Sequence, residues 1–436
     1  MLNGVENNRD RPFDPTSIPT SFSECRTIAI VNSSSIVVAA TIGTTHHSIH
    51  RLHLLYAVAY PLPKMAEVTN TMRAALVEEF NKDYQFRDVP RPADPKGHDL
   101  LVEVLAASYC HTDAVFASGA MSQDLPRVGC HEFVGRVVAA GSDVEASLGV
   151  SVGTTVGVPG RAYQPCGKCW ECQHPHGDQL GYSPYCPNSG NLGLTRDGGF
   201  QELCHVDSRQ VVPLPGSLAP TQAAPLMCAG LTVWAALHHE KVRNARRVAI
   251  LGAGGGLGHV GVQFAAHLGK EVLAIDANDS ALTLLRAIKC NLGATGGKLQ
   301  IADARCDATT SLRAAFQETG GSTQLSEIGM DAVILLPDSQ KAFDMGMELL
   351  RNHGTMVVVS FPKDKLAVSA SDLVFRDINI VGSLVGRNHQ LRHMVNFVVD
   401  KKVEVKVKTF ALEQLNSLVE HLKSGASGKL VIDMQS

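Results

Sequence analysis

An apolar run, Val248-Ala249-Ile250-Leu251, leads into the turn Gly252-Ala253-Gly254-Gly255-Gly256-Leu257-Gly258, and a second run follows from Glu271 to Asp276. Between them, Leu257 to Leu268 carries apolar residues at helical spacing. A run apolar on both faces suits a buried parallel strand, and parallel neighbours must be joined by a crossover helix. The segment therefore predicts a strand, a glycine turn, a helix and a second parallel strand. Further apolar runs at Asp331 to Leu335, Thr355 to Val359 and Ile378 to Val381 alternate with helical segments such as Asp338 to Leu350. That rhythm predicts an α/β fold with a doubly wound parallel sheet of the Rossmann type.

The turn has its own chemistry. Without side chains, its backbone can approach a pyrophosphate, which the free N–H groups and dipole of the following helix attract. The spacing departs from a strict G-x-G-x-x-G, but the strand before it, the helix after it and Asp276 ending the next strand supply the context of a dinucleotide site. Asp276 can accept both hydroxyls of an adenosine ribose, and its charge repels a 2′-phosphate, so NAD is expected rather than NADP. Gly252, Gly255, Gly256, Leu257, Gly258 and Asp276 form the expected cofactor cradle.

Before this region the chain reads differently. Strand patterns such as Met72 to Val77, Asp99 to Ala107 and Phe133 to Ala140, separated by Gly/Pro/Asp turns, predict a mostly β domain that ends at Pro213-Leu214-Pro215-Gly216. A connecting helix is expected over Thr221 to Leu237. After Gly386 a mixed segment ends in a helix near Leu412 to Lys423 and a strand at Leu430 to Asp433, and this tail is expected to rejoin the first domain. Residues 1–64, rich in Asn, Ser, Thr and Pro, read as a disordered or spurious extension, with Met65 a candidate native start. The apolar stretch Ile28 to Ile42 is too short and polar to span a bilayer. His46, His47, His50 and His53 are candidate metal donors, set against the preferred reading of a disordered or spurious extension. The expected organisation is therefore the extension at 1–64, a catalytic domain from 65–227 and 388–436, and a dinucleotide-binding domain at 228–387.

A net charge of -3 provides no basic footprint for nucleic acid or an anionic membrane, so the expected partner is a small molecule. The odd count of eleven cysteines argues against a disulfide framework and for a reducing compartment, the cytoplasm. Cys166, Cys169, Cys172 and Cys186 lie in a Gly/Pro-containing loop, residues 166–186, that cannot build a core of its own, and cross-linking by a structural zinc compensates for that deficit. His174 and His176 are alternative donors within it. Cys110, His131 and Cys228 are dispersed as ligands from different loops would be, with Glu132 adjoining the histidine. Asp113 lies close enough to Cys110 to orient a ligand histidine.

Cys110-His111-Thr112-Asp113, Gly129-Cys130-His131-Glu132, the four-cysteine lobe, Ala224 to Thr232, the glycine-rich turn and Val381 to Gly386 together resemble the zinc-containing medium-chain alcohol dehydrogenases, with the tetrameric yeast-type enzymes the nearest likeness. The resemblance runs from about Met72 to the C-terminus and implies a GroES-like, mostly β catalytic domain. It implies that Cys110, His131 and Cys228 hold a catalytic zinc, a second zinc per chain beside the structural one, with Glu132 able to approach the metal. It further implies that His111 contacts the cofactor pyrophosphate, that Thr112 passes the alcohol proton toward the nicotinamide ribose, and that the enzyme is a homo-oligomer, tetramer or dimer. The expected reaction is reversible oxidation of a primary or secondary alcohol to an aldehyde or ketone, with hydride passing to NAD.

The chain departs from that family at several places. Val115 stands where the proton relay often ends in a histidine. The tryptophans that narrow the ethanol pocket are replaced in the neighbourhoods Gly119-Ala120-Met121-Ser122 and Pro159-Gly160-Arg161-Ala162, which predicts longer or bulkier alcohols. Cys130 occupies a customary glycine position. A polyol or aromatic-alcohol dehydrogenase of the same fold, and a catalytically silent NAD- and zinc-binding protein, are the alternatives that a substrate panel distinguishes.

Overall fold

The computed structural model describes residues 27–32, 35–41, 70–121, 124–173, 181–307, 310–312, 329–425 and 427–436. His46, His47, His50, His53, His174, His176, Ser122 and Met65 lie outside them. The chain divides into two compact units, residues 1–68 and 69–436. In the first, strands β1 (Thr27–Asn32) and β2 (Ser35–Thr41) pair antiparallel, Asn32 opposite Ser35. Residues 28–32 and 35–41 of the apolar stretch thus lie in these two strands.

The second unit opens with β3 (Thr71–Val77), β4 (Gln85–Pro90), β5 (Asp99–Tyr109), β6 (Arg127–Val128), β7 (Glu132–Ala140), β8 (Thr155–Pro159), β9 (Leu203–Asp207) and β10 (Val212–Pro213). Strands β4, β3 and β6 make a small sheet, while β10, β8, β7 and β5 run side by side in a larger one that β9 joins at β5. Phe116, Phe133, Phe200 and Val104 are buried in the core between these elements.

The chain then crosses to β11 (Arg247–Leu251), β12 (Glu271–Asp276), β13 (Leu299–Asp303), β14 (Met330–Leu335), β15 (Leu350–Val358) and β16 (Asn379–Gly382). These six form one sheet in the order β13-β12-β11-β14-β15-β16, and every pairing is parallel. Side chains alternate across it: Val248 and Ile250 enter the core shared with the helix Gly258–His267, while Ala249 and Leu251 enter the core beneath the helix Gln340–Leu349. Both faces are thereby covered, which is why the strand reads as a continuous apolar run.

Finally β17 (Val407–Phe410) and β18 (Lys429–Asp433) return to the larger sheet, β18 lying antiparallel to β5 with Leu430 opposite Tyr109. The tail thus rejoins the β-rich lobe. Two helices differ from expectation. The segment 221–237 is broken: Pro220–Ala223 passes into the 3₁₀ turn Ala224–Met227, and the helix resumes at Ala229–Leu237. Pro225 supplies no N–H and Cys228 leaves helical geometry at φ -121 and ψ -64, so the chain is re-aimed at that cysteine. The helix Asn388–Lys401, which the sequence left as mixed structure, buries Leu391, Met394, Val395 and Val398 on one face.

Candidate active site and metal centres

Three segments far apart in sequence bring Cys110, His131 and Cys228 together, all buried, with their ligand atoms within 4.8 Å of one another. Cys110 follows β5 and caps the short helix His111–Ala117, His131 precedes β7, and Cys228 sits in the helix break. The His131 Nε2 to Cys228 Sγ separation is 3.3 Å. Around a tetrahedral zinc, a thiolate and an imidazole nitrogen stand about 3.5 Å apart, so the donor set and spacing fit that ion.

Asp113 organises this triangle from behind. Fully buried, its carboxylate accepts the Cys110 N–H at 2.9 Å and the Cys130 N–H at 3.0 Å, and lies 3.5 Å from His131 Nδ1. It faces the imidazole nitrogen opposite the one directed at Cys228. Burial works against the charged imidazole, but the Asp113 carboxylate and Cys110 raise the His131 pKa on balance. Cys110 is held well below an ordinary thiol pKa by the hydrogen bond from Cys228, with His131 adding to the effect, and Cys228 is raised by the same bond. The two thiols are thus electrostatically coupled, and a cation bound between them would displace their protons.

Glu132 lies behind the cluster, fully buried. One carboxylate oxygen pairs with the Lys429 ammonium and the other accepts the Ala229 N–H at 3.3 Å, at the start of the helix that follows Cys228. Lys429 also donates to the Tyr109 carbonyl at 2.9 Å. Burial lifts Glu132 to about 8 against the pull of Lys429, whose own pKa is raised by Glu132 and Cys110 despite burial. Sequence reasoning missed Lys429. Its signal was a lone lysine heading the apolar run Leu430-Val431-Ile432.

Thr112 Oγ1 stands 3.7 Å from Cys110 Sγ, and His111 is exposed with its ring tilted toward Phe361. Val115 is half-buried one turn further on. Cys130 does not join the cluster: its Sγ turns to the Ser108 and Glu132 carbonyls, and burial raises its pKa. Its φ of 78 explains why glycine suits the position, since a side chain there strains the backbone by about 1 kcal/mol.

In the second cluster, Cys166, Cys169, Cys172 and Cys186 have their sulfurs within 4.8 Å of one another. Cys186 Sγ is 3.8 Å from both Cys169 and Cys166. This is far beyond a disulfide bond, but it matches the edge of about 3.8 Å expected for four thiolates on a tetrahedral zinc. The short helix Trp170–Gln173 folds Cys172 back onto Cys169, and the Asn188 amide donates to Cys166 at 3.5 Å. The Lys168 N–H, with Asn188, lowers Cys166 to about 6.

The glycine turn joins β11 to the helix Gly258–His267. Gly252 adopts φ +73, and a side chain on Gly258 would strike the Gly252 carbonyl. Asp276, at the end of β12, accepts the Gly254 N–H at 2.9 Å and the Asn278 N–H at 3.1 Å. Gly255, Gly256 and Leu257 are partly exposed at the opening between strand and helix, as a dinucleotide cradle requires. A further residue escaped the sequence reading. His259, buried in this helix, places Nδ1 2.8 Å from the Gly255 carbonyl while its Nε2 accepts the Lys406 N–H at 3.0 Å.

Comparison with known proteins supplies the context for this geometry. Residues 96–216 match the alcohol dehydrogenase GroES-like domain family and residues 256–400 the zinc-binding dehydrogenase family. An alcohol dehydrogenase of Geobacillus stearothermophilus is 31% identical over 367 residues, covering 84% of this chain and 99% of the relative. The crystal structure of an alcohol dehydrogenase from the hyperthermophilic archaeon Aeropyrum pernix superposes with a TM-score of 0.70 at 27% identity, covering 83% of this chain and 99% of that one. The structure of acetophenone reductase from Geotrichum candidum in complex with NAD shares the fold, with a TM-score of 0.68 at 24% identity over 84% of this chain and 98% of its own.

Proposed function

The chain belongs to the zinc-containing medium-chain alcohol dehydrogenases, with a GroES-like and a Rossmann domain, and from that membership we propose that it is an NAD-linked enzyme oxidising alcohols longer or bulkier than ethanol. The observation that carries the reading is the buried Cys110–His131–Cys228 triangle, built from three separate segments. We assign it the catalytic zinc, and the four cysteines of the 166–186 lobe the structural one. Residues 65–227 with 388–436 are then the catalytic domain and 228–387 the NAD-binding domain.

When bound, zinc supplies a Lewis acid that eases loss of the alcohol proton, and NAD supplies the hydride acceptor. The protein's own residues do the rest. Asp113 orients His131 and fixes the backbone of Cys110 and Cys130. Thr112 takes the substrate hydroxyl proton and hands it toward the nicotinamide ribose, beside Cys110. His111 pairs with the cofactor pyrophosphate from its exposed position. Glu132 stands behind the cluster with its carboxyl group paired to Lys429. Asp276 accepts the ribose hydroxyls and excludes a 2′-phosphate, the basis for NAD over NADP.

The larger pocket rests on the absence of those tryptophans from the neighbourhoods Gly119-Ala120-Met121-Ser122 and Pro159-Gly160-Arg161-Ala162, Met121 being 42% exposed. On the helix Ala370–Phe375, Val374 and Phe375 are 71% and 81% exposed shortly before the edge strand β16, which supports a homo-oligomer, dimer or tetramer. The free cysteines support a reducing compartment, the cytoplasm. Among the described residues no helix is long and apolar enough to cross a membrane.

Metal analysis of the purified protein paired with NAD-linked turnover tests the proposal. Two zinc ions per chain and activity lost on chelation are expected. Zinc-loaded protein that turns over no alcohol with NAD or NADP refutes it and favours a catalytically silent binding protein.

A further inference from the structure

Strand β8 ends opposite the start of β7, Pro159 pairing with Glu132, and the next residue continues that contact: the Gly160 N–H donates to the His131 carbonyl at 2.7 Å. A side chain on Gly160 would collide with His131 itself. Arg161 is therefore delivered directly beside the Cys110–His131–Cys228 triangle. Its Nη2 donates to the Pro184 carbonyl at 3.2 Å, and its enclosed Nε has no acceptor. Among the described residues no carboxylate pairs with this half-buried guanidinium. Burial lowers its pKa while Cys228 and Tyr185 pull it back up, which places the charge within the field of the cluster. It stays a cation throughout the working pH range.

A cation withdrawn from water without an anionic partner is costly, and such groups are ordinarily paired. The zinc ligands do not meet that need: two thiolates and a neutral imidazole around a divalent ion sum to no net charge. A planar guanidinium with free donors suits a carboxylate, which takes two parallel N–H bonds. We propose that Arg161 is the specificity residue of this site and pairs with a carboxylate carried by the alcohol, at the end remote from the reacting hydroxyl. The substrate class is hydroxy acids. The inference rests on the dehydrogenase reading and narrows it. In the reaction the carbinol carbon loses hydride to the nicotinamide and the hydroxyl loses its proton through Thr112, leaving a carbonyl acid and NADH. Arg161 and the substrate carboxylate are unchanged.

The test uses the zinc-loaded holoenzyme with NAD, ω-hydroxy carboxylates of graded chain length and their primary amides. At the best length, kcat/KM for the carboxylate exceeds that for the amide by about 30- to 100-fold, the size of a charge-assisted pair. In Arg161→Gln that ratio collapses toward one, and Arg161→Lys restores part of it. The KM for NAD does not follow the change. A merely structural role, through the Pro184 bond, would lower both substrates alike and keep the ratio. A wild-type ratio near one, a ratio unmoved in Arg161→Gln, or a rise confined to the KM for NAD each overturns the inference. If amides and neutral alcohols are oxidised with no carboxylate preference, the dehydrogenase reading stands alone. If no alcohol is oxidised, both fall.

Discussion

His259 makes folding stability depend on pH in a calculable way. The imidazole is fully buried in the helix Gly258–His267, Nδ1 2.8 Å from the Gly255 carbonyl and Nε2 accepting the Lys406 N–H at 3.0 Å. Only one tautomer satisfies both bonds: Nδ1 protonated and Nε2 bare. A second proton would set an N–H against the Lys406 N–H. Burial lowers the pKa to about 4, the nearby Lys429 charge assisting and the Gly255 carbonyl opposing, against about 6.5 in the unfolded chain. The unfolded state therefore takes up the proton first on acidification. The contribution is complete above about pH 6.5 and lost as pH falls from there through 4. The ceiling is about 2.5 units at 1.36 kcal/mol each, or about 3.4 kcal/mol, of which about 2 kcal/mol is gone by pH 5. His259→Leu removes the titration and also orphans the Lys406 N–H, at about 1–3 kcal/mol at neutral pH, while the Gly255 carbonyl keeps the residue-259 backbone N–H at 3.2 Å. Urea unfolding of both proteins at pH 8 and pH 5 isolates the term, because acid release of metal and titration of other groups cancel in the difference between them. The stability gap should be about 2 kcal/mol smaller at pH 5. A gap independent of pH refutes the single-tautomer assignment.

Other outcomes follow from the same geometry. Lys429→Met leaves the Glu132 carboxylate buried without its partner, costing about 3–5 kcal/mol in urea unfolding, and the double variant with Glu132→Gln recovers much of it; equal stability of single and double variants contradicts the pairing. Cys166→Ser should lower the zinc content from two ions to one and lower the thermal midpoint, whereas Cys228→Ser should abolish turnover while the lobe keeps its metal. Metal analysis with thermal melts separates the two, and a Cys166→Ser protein retaining both ions defeats the assignment. Val115→His, completing a relay beside Thr112, should raise alcohol oxidation below about pH 7, and an unchanged pH–rate profile would mean proton release is not limiting.

Legibility in the sequence followed periodicity. Strands β11, β12 and β14 were readable because burial on both faces leaves an unbroken apolar run, and the glycine turn because φ +73 at Gly252 and the crowding at Gly258 exclude side chains. The helix Asn388–Lys401 has an apolar face at Leu391, Met394, Val395 and Val398, but His389, Arg392 and His393 dilute it and its pattern was passed over. The break at Cys228 was announced only by Pro225. The four lobe cysteines were legible because all lie in one loop. The Cys110–His131–Cys228 set was less so: no spacing rule links the three, their dispersal suggested only ligands from different loops, and the resemblance of their flanking motifs assigned them the catalytic zinc.

Least legible were residues whose roles depend on a single long-range contact. His259 resembles any polar residue on a helix until Lys406, from the segment entering β17, is set against its Nε2. The Lys406 carbonyl in turn accepts the Lys429 N–H at 2.8 Å, and the Lys429 ammonium reaches Glu132, whose carboxylate holds the Ala229 N–H beside Cys228. A continuous line of polar contacts thus runs from the dinucleotide turn to the proposed zinc ligands, through the strand pair that brings the tail back to β5. Apart from the His259–Gly255 bond, each link joins residues remote in sequence and leaves no local signal. Because His259, Lys429, Glu132 and Ala229 are buried, removing one of their side chains leaves buried polar neighbours unpaired, and damage there should exceed the loss of one bond.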